Sequence, residues 1–302
     1  MAEHISVLAE ILVEQINLPK DAVMVDTTIG HGGHSFLFGK TLGSEGVIIG
    51  LDVDEDALQE ARIRLEQLQC KVILEHSNFS QISEVLYKNN IEKVDFILAD
   101  LGLCSAQIDN DKFGLSFQTN MPLDMRIDKR LKHTAADIVN RTDEKSLADL
   151  IFKYGQDRAS RRIARFIVAQ RKKKKITTTG ELADIVCKAL SKKGNRSRIH
   201  PATRTFQALR IAVNNELESL EKLLISAPQI LNKDGLIAII SYHSLEDRMV
   251  KYDFRQNAAD DIYKIITKKP ITSSREEILV NRRARSAKLR IAQKQRIINA
   301  VK

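Results

Sequence analysis

The 302-residue sequence predicts an α/β protein: a parallel, doubly wound sheet interrupted by a basic helical insertion. Three observations carry that prediction. Short apolar runs ending in acids or glycines alternate with helix-period segments over the first hundred residues. The alternation stops after Leu101 and strand logic returns only at Leu236. In between, residues 106–213 hold 24 Lys/Arg against 11 Asp/Glu, a net of +13, whereas the remainder has 24 basic and 28 acidic residues, a net of −4. The expected organisation is a first sheet part over 1–105, the insertion over 106–213, and a second sheet part over 214–302. The last of these ends in a basic tail, with eight Lys/Arg and no acid over 282–302.

Each element has its own signal. Ala22 to Ile29 reads as a buried strand running into a glycine cluster, and Val47 to Val53 as a second strand. Val72 to Glu75 and Val94 to Leu101 read as a third and a fourth. Asp54 is placed to cap a helix whose Leu58, Ala61, Leu65 and Leu68 share a face. In the insertion, Leu147/Leu150/Ile151/Tyr154 and Ile163/Phe166/Ile167 repeat at helical spacing. Thr178-Thr179-Gly180-Glu181 is a capping box ahead of Leu182, Ile185, Val186 and Ala189. From Pro201 one long helix is expected, with Phe206, Leu209, Val213, Leu217, Leu220 and Leu224 inward.

Composition narrows the class. With 43% hydrophobic residues the chain can bury a substantial core, and no apolar run reaches the ~18 residues of a membrane helix. Met1-Ala2-Glu3-His4 has no signal or transit character. Cys70, Cys104 and Cys187 lie too far apart for a metal knuckle or a disulfide framework. A cytoplasmic protein without metal or membrane association is expected. A charge excess confined to one segment suits a polyanionic partner, although a lysine-rich solvated helix face is the commoner source of such runs.

The chemistry concentrates at strand ends, where ligands of such sheets bind. Asp26-Thr27-Thr28-Ile29-Gly30-His31-Gly32-Gly33-His34 is a strand end followed by closely spaced glycines, which lets backbone N–H groups approach a ligand. Twenty residues after Gly32, Asp52 is placed to accept ribose hydroxyls. The third glycine of a dinucleotide fingerprint is replaced by Ser35, and Asp26 is unsuited to a pyrophosphate. Both favour S-adenosylmethionine, whose amino acid carries an ammonium, over NAD. One other reading competes with a methyltransferase: an NAD-dependent oxidoreductase, which the broken fingerprint opposes.

The sequence resembles the RsmH/MraW family, methyltransferases that modify N4 of a cytidine in the decoding region of bacterial small-subunit (16S) ribosomal RNA. The resemblance spans nearly the whole chain. It rests on Gly32-Gly33-His34-Ser35, Asp100-Leu101-Gly102 with Ser105 and Gln107, and Pro122-Leu123-Asp124-Met125-Arg126. Tyr154-Gly155, Arg162-Ile163-Ala164-Arg165 and the nine residues from His200 to Ala208 (HPATRTFQA) continue it. So do His243-Ser244-Leu245-Glu246-Asp247-Arg248 and the stretch from Ala284 to Arg290. The chain departs from the family's pattern at Thr27, His31 and Ala106, over Phe113 to Met121, and at Arg282 in Asn281-Arg282-Arg283-Ala284-Arg285.

The resemblance implies a Rossmann-like sheet that binds S-adenosylmethionine, with ribosomal RNA or a small-subunit particle as partner; a homodimer is compatible with it. Gly32, Gly33 and His34 would line the methionine end, Asp52 the ribose and Phe79 the adenine, while Asp100 and Gln107 complete the pocket beside the sulfonium. Arg126, His200 and Arg204 would meet the RNA. The alternative is a non-catalytic RNA-binding or ribosome-assembly factor that keeps a cofactor pocket, and no catalytic residue is assigned outright. Asp100 stands where many amino-methyltransferases carry an Asn/Asp-Pro-Pro-aromatic motif, and here Leu101-Gly102-Leu103 follows it. It is the candidate acceptor for an amino N–H. His243 reads either as a proton relay or as a histidine bonded to neighbouring backbone, and Cys104 as a packing residue.

Overall fold

The computed structural model describes residues 6–103, 113–190 and 200–295. They fall into two compact units, one formed by the first 102 residues together with Leu217 onward, the other by Leu103–Glu216.

The first unit is built on a seven-stranded sheet: β1 (Val23–Asp26), β2 (Val47–Asp52), β3 (Lys71–His76), β4 (Val94–Asp100), β5 (Leu231–Ser241), β6 (Tyr263–Ile265) and β7 (Lys288–Lys294). Their order is β3-β2-β1-β4-β5-β7-β6. The first five run parallel, and β7 enters antiparallel between β5 and β6. Because parallel strands are covered on both faces, alternate residues feed two cores. Val25, Ile49, Ile97 and Ile239 face one, and Met24, Ile48, Phe96 and Ala238 the other. Each fully buried Ile or Val contributes about 1.5–3 kcal/mol, enough to fix the register of every strand.

Around the sheet lie α1 (Ala9–Gln15), α2 (Gly33–Gly39), α3 (Glu55–Leu65) and α4 (Ile82–Lys88). Asp54 caps α3 as expected, its side chain accepting from Asp56 N, and Leu58, Ala61 and Leu65 are buried. In the second unit follow α5 (Ala135–Arg141), α6 (Glu144–Gly155), α7 (Ser160–Arg171), α8 (Thr179–Leu190) and α9 (Thr203–Asn214). Their core includes Leu147, Ile151, Ile163, Ile167, Leu182, Val186, Phe206 and Leu209. The box before α8 forms, with Glu181 Oε2 accepting from Thr178 N and Thr178 Oγ1 from Glu181 N, both at 3.3 Å.

Three expectations change. The long helix from Pro201 is two helices, α9 and α10 (Glu216–Ile230), because Asn215 adopts a left-handed conformation (φ 52°) that ends the first. Asparagine tolerates that conformation better than other residues with a side chain. Strand β5 begins at Leu231 rather than Leu236, with a register shift opposite Val94/Phe96. The basic stretch read as a tail includes β7, which follows α11 (Ser244–Ala259) and α12 (Arg275–Val280). Its Arg290 and Lys294 are buried, Arg290 Nε pairing with Asp247 Oδ1 at 2.8 Å and Lys294 Nζ donating to Leu231 O at 2.8 Å. Those cations serve the fold.

Candidate active site

The parallel strands bring Asp26, Asp52, His76, Asp100 and Ser241 to one carboxyl edge. After β1 the chain turns through Gly30 and Gly32, both left-handed (φ 50° and 75°), and starts α2 at Gly33. The two glycines do different work. A Cβ on Gly32 would sit 3.3 Å from Leu65 and 3.4 Å from Ala61, so Gly32 is bare because α3 packs there. A Cβ on Gly30 meets nothing nearer than Thr28 O at 4.0 Å, so the open side of the turn lies at Gly30. Of these two glycines, Gly32 serves the packing of α3 and Gly30 faces the open side.

Asp52 holds this turn. Its Oδ2 accepts from Gly30 N at 2.8 Å and its Oδ1 from Asp54 N at 3.0 Å, each oxygen keeping a lone pair for a further donor. Burial pushes its carboxyl up to about 6, although both backbone donors favour the ionised form. Phe79 is half-buried at the start of a single 3₁₀ turn (Phe79–Gln81) just beyond β3. Ser77 N donates to Asp52 O at 3.0 Å, which seats that turn beside the end of β2.

Asp26 is bound from within the first unit and is 1% exposed. Its oxygens accept from Thr28 N at 3.2 Å and Ser35 Oγ at 2.8 Å. Burial raises its pKa, against the pull of His34. Ser35, standing where a dinucleotide fold has its third glycine, thus ties α2 to β1.

His34 is 7% exposed, and neither ring nitrogen forms a hydrogen bond. Its Nε2 lies 3.5 Å from Asp100 Oδ2, close enough for ion pairing once protonated but outside hydrogen-bond geometry. Buried polar atoms without partners are costly, so orphaned nitrogens at a helix start mark a place for a polar ligand. Asp100 is fixed by its backbone N–H, which donates to Thr28 Oγ1 at 2.7 Å. Gln107, Ser105, Ala106 and Cys104 lie outside the described residues.

Near the edge, sequence did not single out Tyr242 and named Glu246 only within a family stretch. Tyr242, directly after β5, donates its hydroxyl to Asp100 Oδ1 at 2.7 Å. Glu246 is 3% exposed and accepts from the backbone N–H groups of Tyr242 (2.8 Å) and His243 (3.2 Å). A tyrosine after an apolar strand looks like packing; only tertiary pairing shows where its hydroxyl goes. His243 takes the bland reading, since its Nδ1 accepts from Glu246 N at 3.3 Å in a capping box that opens α11.

In the helical unit, His200 and Arg204 stand exposed at the start of α9. The His200 ring stacks on Phe117 with centroids 4.5 Å apart, and Arg204 donates to Gln156 O at 3.4 Å. Arg126 is elsewhere. Asn214 donates to Met125 O and accepts from Ile127 N, placing Arg126 at the far end of α9, roughly 18 Å away by helical rise. Its guanidinium is committed to Asp124 (2.7 and 2.8 Å) and to Leu131 O (2.9 Å). In the run Arg171 to Lys175, Arg171 bonds Val139 O and Thr142 O at 2.7 Å each, and Lys174 pairs with Glu181 at 2.6 Å. Lys172, Lys173 and Lys175 are exposed.

An acid-lined strand-end cradle, an open glycine turn and an orphaned histidine suit a nucleoside that carries a cationic amino acid, and S-adenosylmethionine is such a molecule. Comparison of the sequence with known families shows the class, an S-adenosylmethionine-dependent methyltransferase. The profile of the MraW methylase family matches residues 1–295, and the chain belongs to that family. It is 46% identical to a ribosomal RNA small subunit methyltransferase H of Clostridioides difficile over 306 aligned positions, covering 96% of this chain and 98% of that one. To proteins of the same description from Brevibacillus brevis and Clostridium botulinum it is 41% and 43% identical. Those alignments cover 96% and 97% of this chain and 98% and 99% of theirs.

Proposed function

We propose that this protein methylates N4 of a cytidine in small-subunit ribosomal RNA, with S-adenosylmethionine as donor. The observation that carries the reading is the cradle formed by Gly30, His34, Asp52 and Asp100, in a chain of this family with a +13 helical segment. An RNA substrate of this kind places the reaction in the cytoplasm. No observation favours a non-catalytic factor.

In this reading the remaining lone pairs of Asp52 accept the ribose hydroxyls, and Phe79 flanks the adenine. The backbone of Gly32, Gly33 and His34 lines the methionine end, whose polar groups meet the orphaned ring nitrogens of His34. Bound there, the donor supplies an electrophilic sulfonium methyl, so the protein's part is alignment and exclusion of water. A cytosine amino lone pair is delocalised into its ring. Asp100 Oδ2 accepts an N–H of that group and helps the nitrogen turn toward attack. His200 and Arg204 position the RNA strand, Arg126 shapes the loop at the other end of α9, and Lys172, Lys173 and Lys175 follow phosphates.

Nucleoside mass mapping of small-subunit RNA from cells lacking the protein tests the reading. The expected result is loss of N4 methylation at one cytidine, restored by the wild-type chain. An unchanged methylation map overturns it.

A further inference from the structure

Asp100 has two unlike oxygens. Oδ1 accepts the Tyr242 hydroxyl at 2.7 Å and, more weakly, Gly102 N at 3.4 Å. Among the described residues, Oδ2 has only the misaligned Nε2 of His34 at 3.5 Å. The tyrosine ring is seated closely against the chain leaving β4, since a Cβ on Gly102 would lie 2.6 Å from it. That contact explains why Gly102 follows Asp100 so closely. Burial, and Asp100 beside it, hold the Tyr242 phenol well above its ordinary pKa, so it remains a protonated donor. The other charged groups facing this pair are His34 and Asp26 from the first turn, Glu246 of α11, and Arg283.

We propose that Tyr242 is a positioning residue for methyl transfer: its hydroxyl occupies Oδ1 of Asp100 and leaves Oδ2 to accept the N–H of the incoming amino group. This rests on the reading of Asp100 as that acceptor. As the nitrogen's bond to the methyl forms and the sulfur–carbon bond breaks, one proton must leave the nitrogen; Oδ2 takes it and passes it to solvent. A carboxylate free to rotate would offer either oxygen. One pinned through Oδ1 by the tyrosine hydroxyl presents Oδ2 in a single lone-pair direction.

Tyr242→Phe keeps the ring against Gly102 and deletes only the hydroxyl. Single-turnover methyl transfer is measured against the concentration of small-subunit particles, with S-adenosylmethionine affinity measured in parallel by calorimetry. Without the tyrosine hydroxyl the carboxylate is no longer pinned, so the rate at saturation should fall about tenfold, with half-saturation in particles and donor affinity each changed less than about twofold. A wild-type rate at saturation overturns the proposal. So does weakened donor binding with an unchanged rate at saturation, which would make Tyr242 a pocket wall only. Asp100→Asn separates the two levels. If it binds donor but fails to methylate, the acceptor reading stands; if it remains active, that reading fails whatever Tyr242→Phe does.

Discussion

At Asp52 one carboxylate serves both the chain and the ligand proposed for it, and this changes what its removal should do. Asp52→Ala deletes an acceptor for ribose hydroxyls, and a charged hydrogen bond contributes roughly 1.5–3 kcal/mol, so donor affinity should fall at least tenfold. Because Gly30 N and Asp54 N lose their partner as well, the melting temperature should drop, contrary to what a strand-end acid outside the core would suggest. Calorimetry and thermal denaturation check both halves; an unaltered melting temperature would show that the turn holds without Asp52. The glycines should also separate. Gly32→Val forces a β-branched residue into φ 75° against Leu65 and Ala61, so its first effect is on folding. Gly30→Ala places a methyl in open space at a cost of about 1 kcal/mol, so it should fold yet bind donor poorly. If Gly30→Ala binds donor at wild-type affinity, the ligand does not approach that side of the turn.

The end of α7 shows how an element divides a uniform-looking charge run. Arg171 is spent on the carbonyls that close α5, and Lys174 on Glu181, whose carboxyl is drawn down to about 2 chiefly by that lysine. Only Lys172, Lys173 and Lys175 are proposed to meet phosphates. Changing these three to glutamine should reduce the magnitude of the log affinity against log salt slope by about 2, at ~0.7 per contact to single-stranded RNA. Donor binding should be unaffected. Lys174→Gln alone should leave the slope nearly unchanged and loosen the start of α8. Filter binding over a salt series distinguishes the two variants, and equal slopes for the triple variant and wild type would return the run to a solvated helix end.

For the whole molecule, pH acts through carboxyls that the fold holds in partly dry places. Asp253 on α11 is raised to about 6, burial being the main cause, and its Oδ2 has no hydrogen-bond partner. The sign follows from linkage. A carboxyl whose folded pKa lies above its unfolded value favours the protonated form in the folded state, so stability falls as pH rises from about 4 to 6. Asp253→Asn should therefore stabilise the protein at pH 8 by about 1–2 kcal/mol and change little below pH 4. Urea unfolding at both pH values measures it. A variant less stable than wild type at pH 8 would mean that the charge has a partner in solution.

Much of this architecture is legible in the residues because local chemistry suffices to specify it. Apolar runs ending in Asp26, Asp52 and Asp100 define strands with acids at one edge, Asp54 and Thr178 announce helix starts, and glycine spacing distinguishes a methyl donor's turn from a dinucleotide's. These depend on neighbours within a few positions. Other features depend on partners that lie far along the chain and so leave no local trace. The break at Asn215 reflects a boundary between two packed units, where helical periodicity simply continues in sequence. Strand β7 is basic yet interior because Asp247 and the carbonyls near Leu231 satisfy its cations. The roles of Gly32 and Gly30 separate only when α3 is packed against the turn. Tyr242 reaches Asp100 across 142 positions of sequence, through the adjacency of β4 and β5. Sequence by itself determined the fold class, the donor and the set of strand-end acids, since each is written in short-range pattern. Which oxygen, which glycine and which lysine remain available to a ligand was decided by tertiary pairing, because hydrogen-bond capacity used inside the protein is spent where the chain folds back on itself.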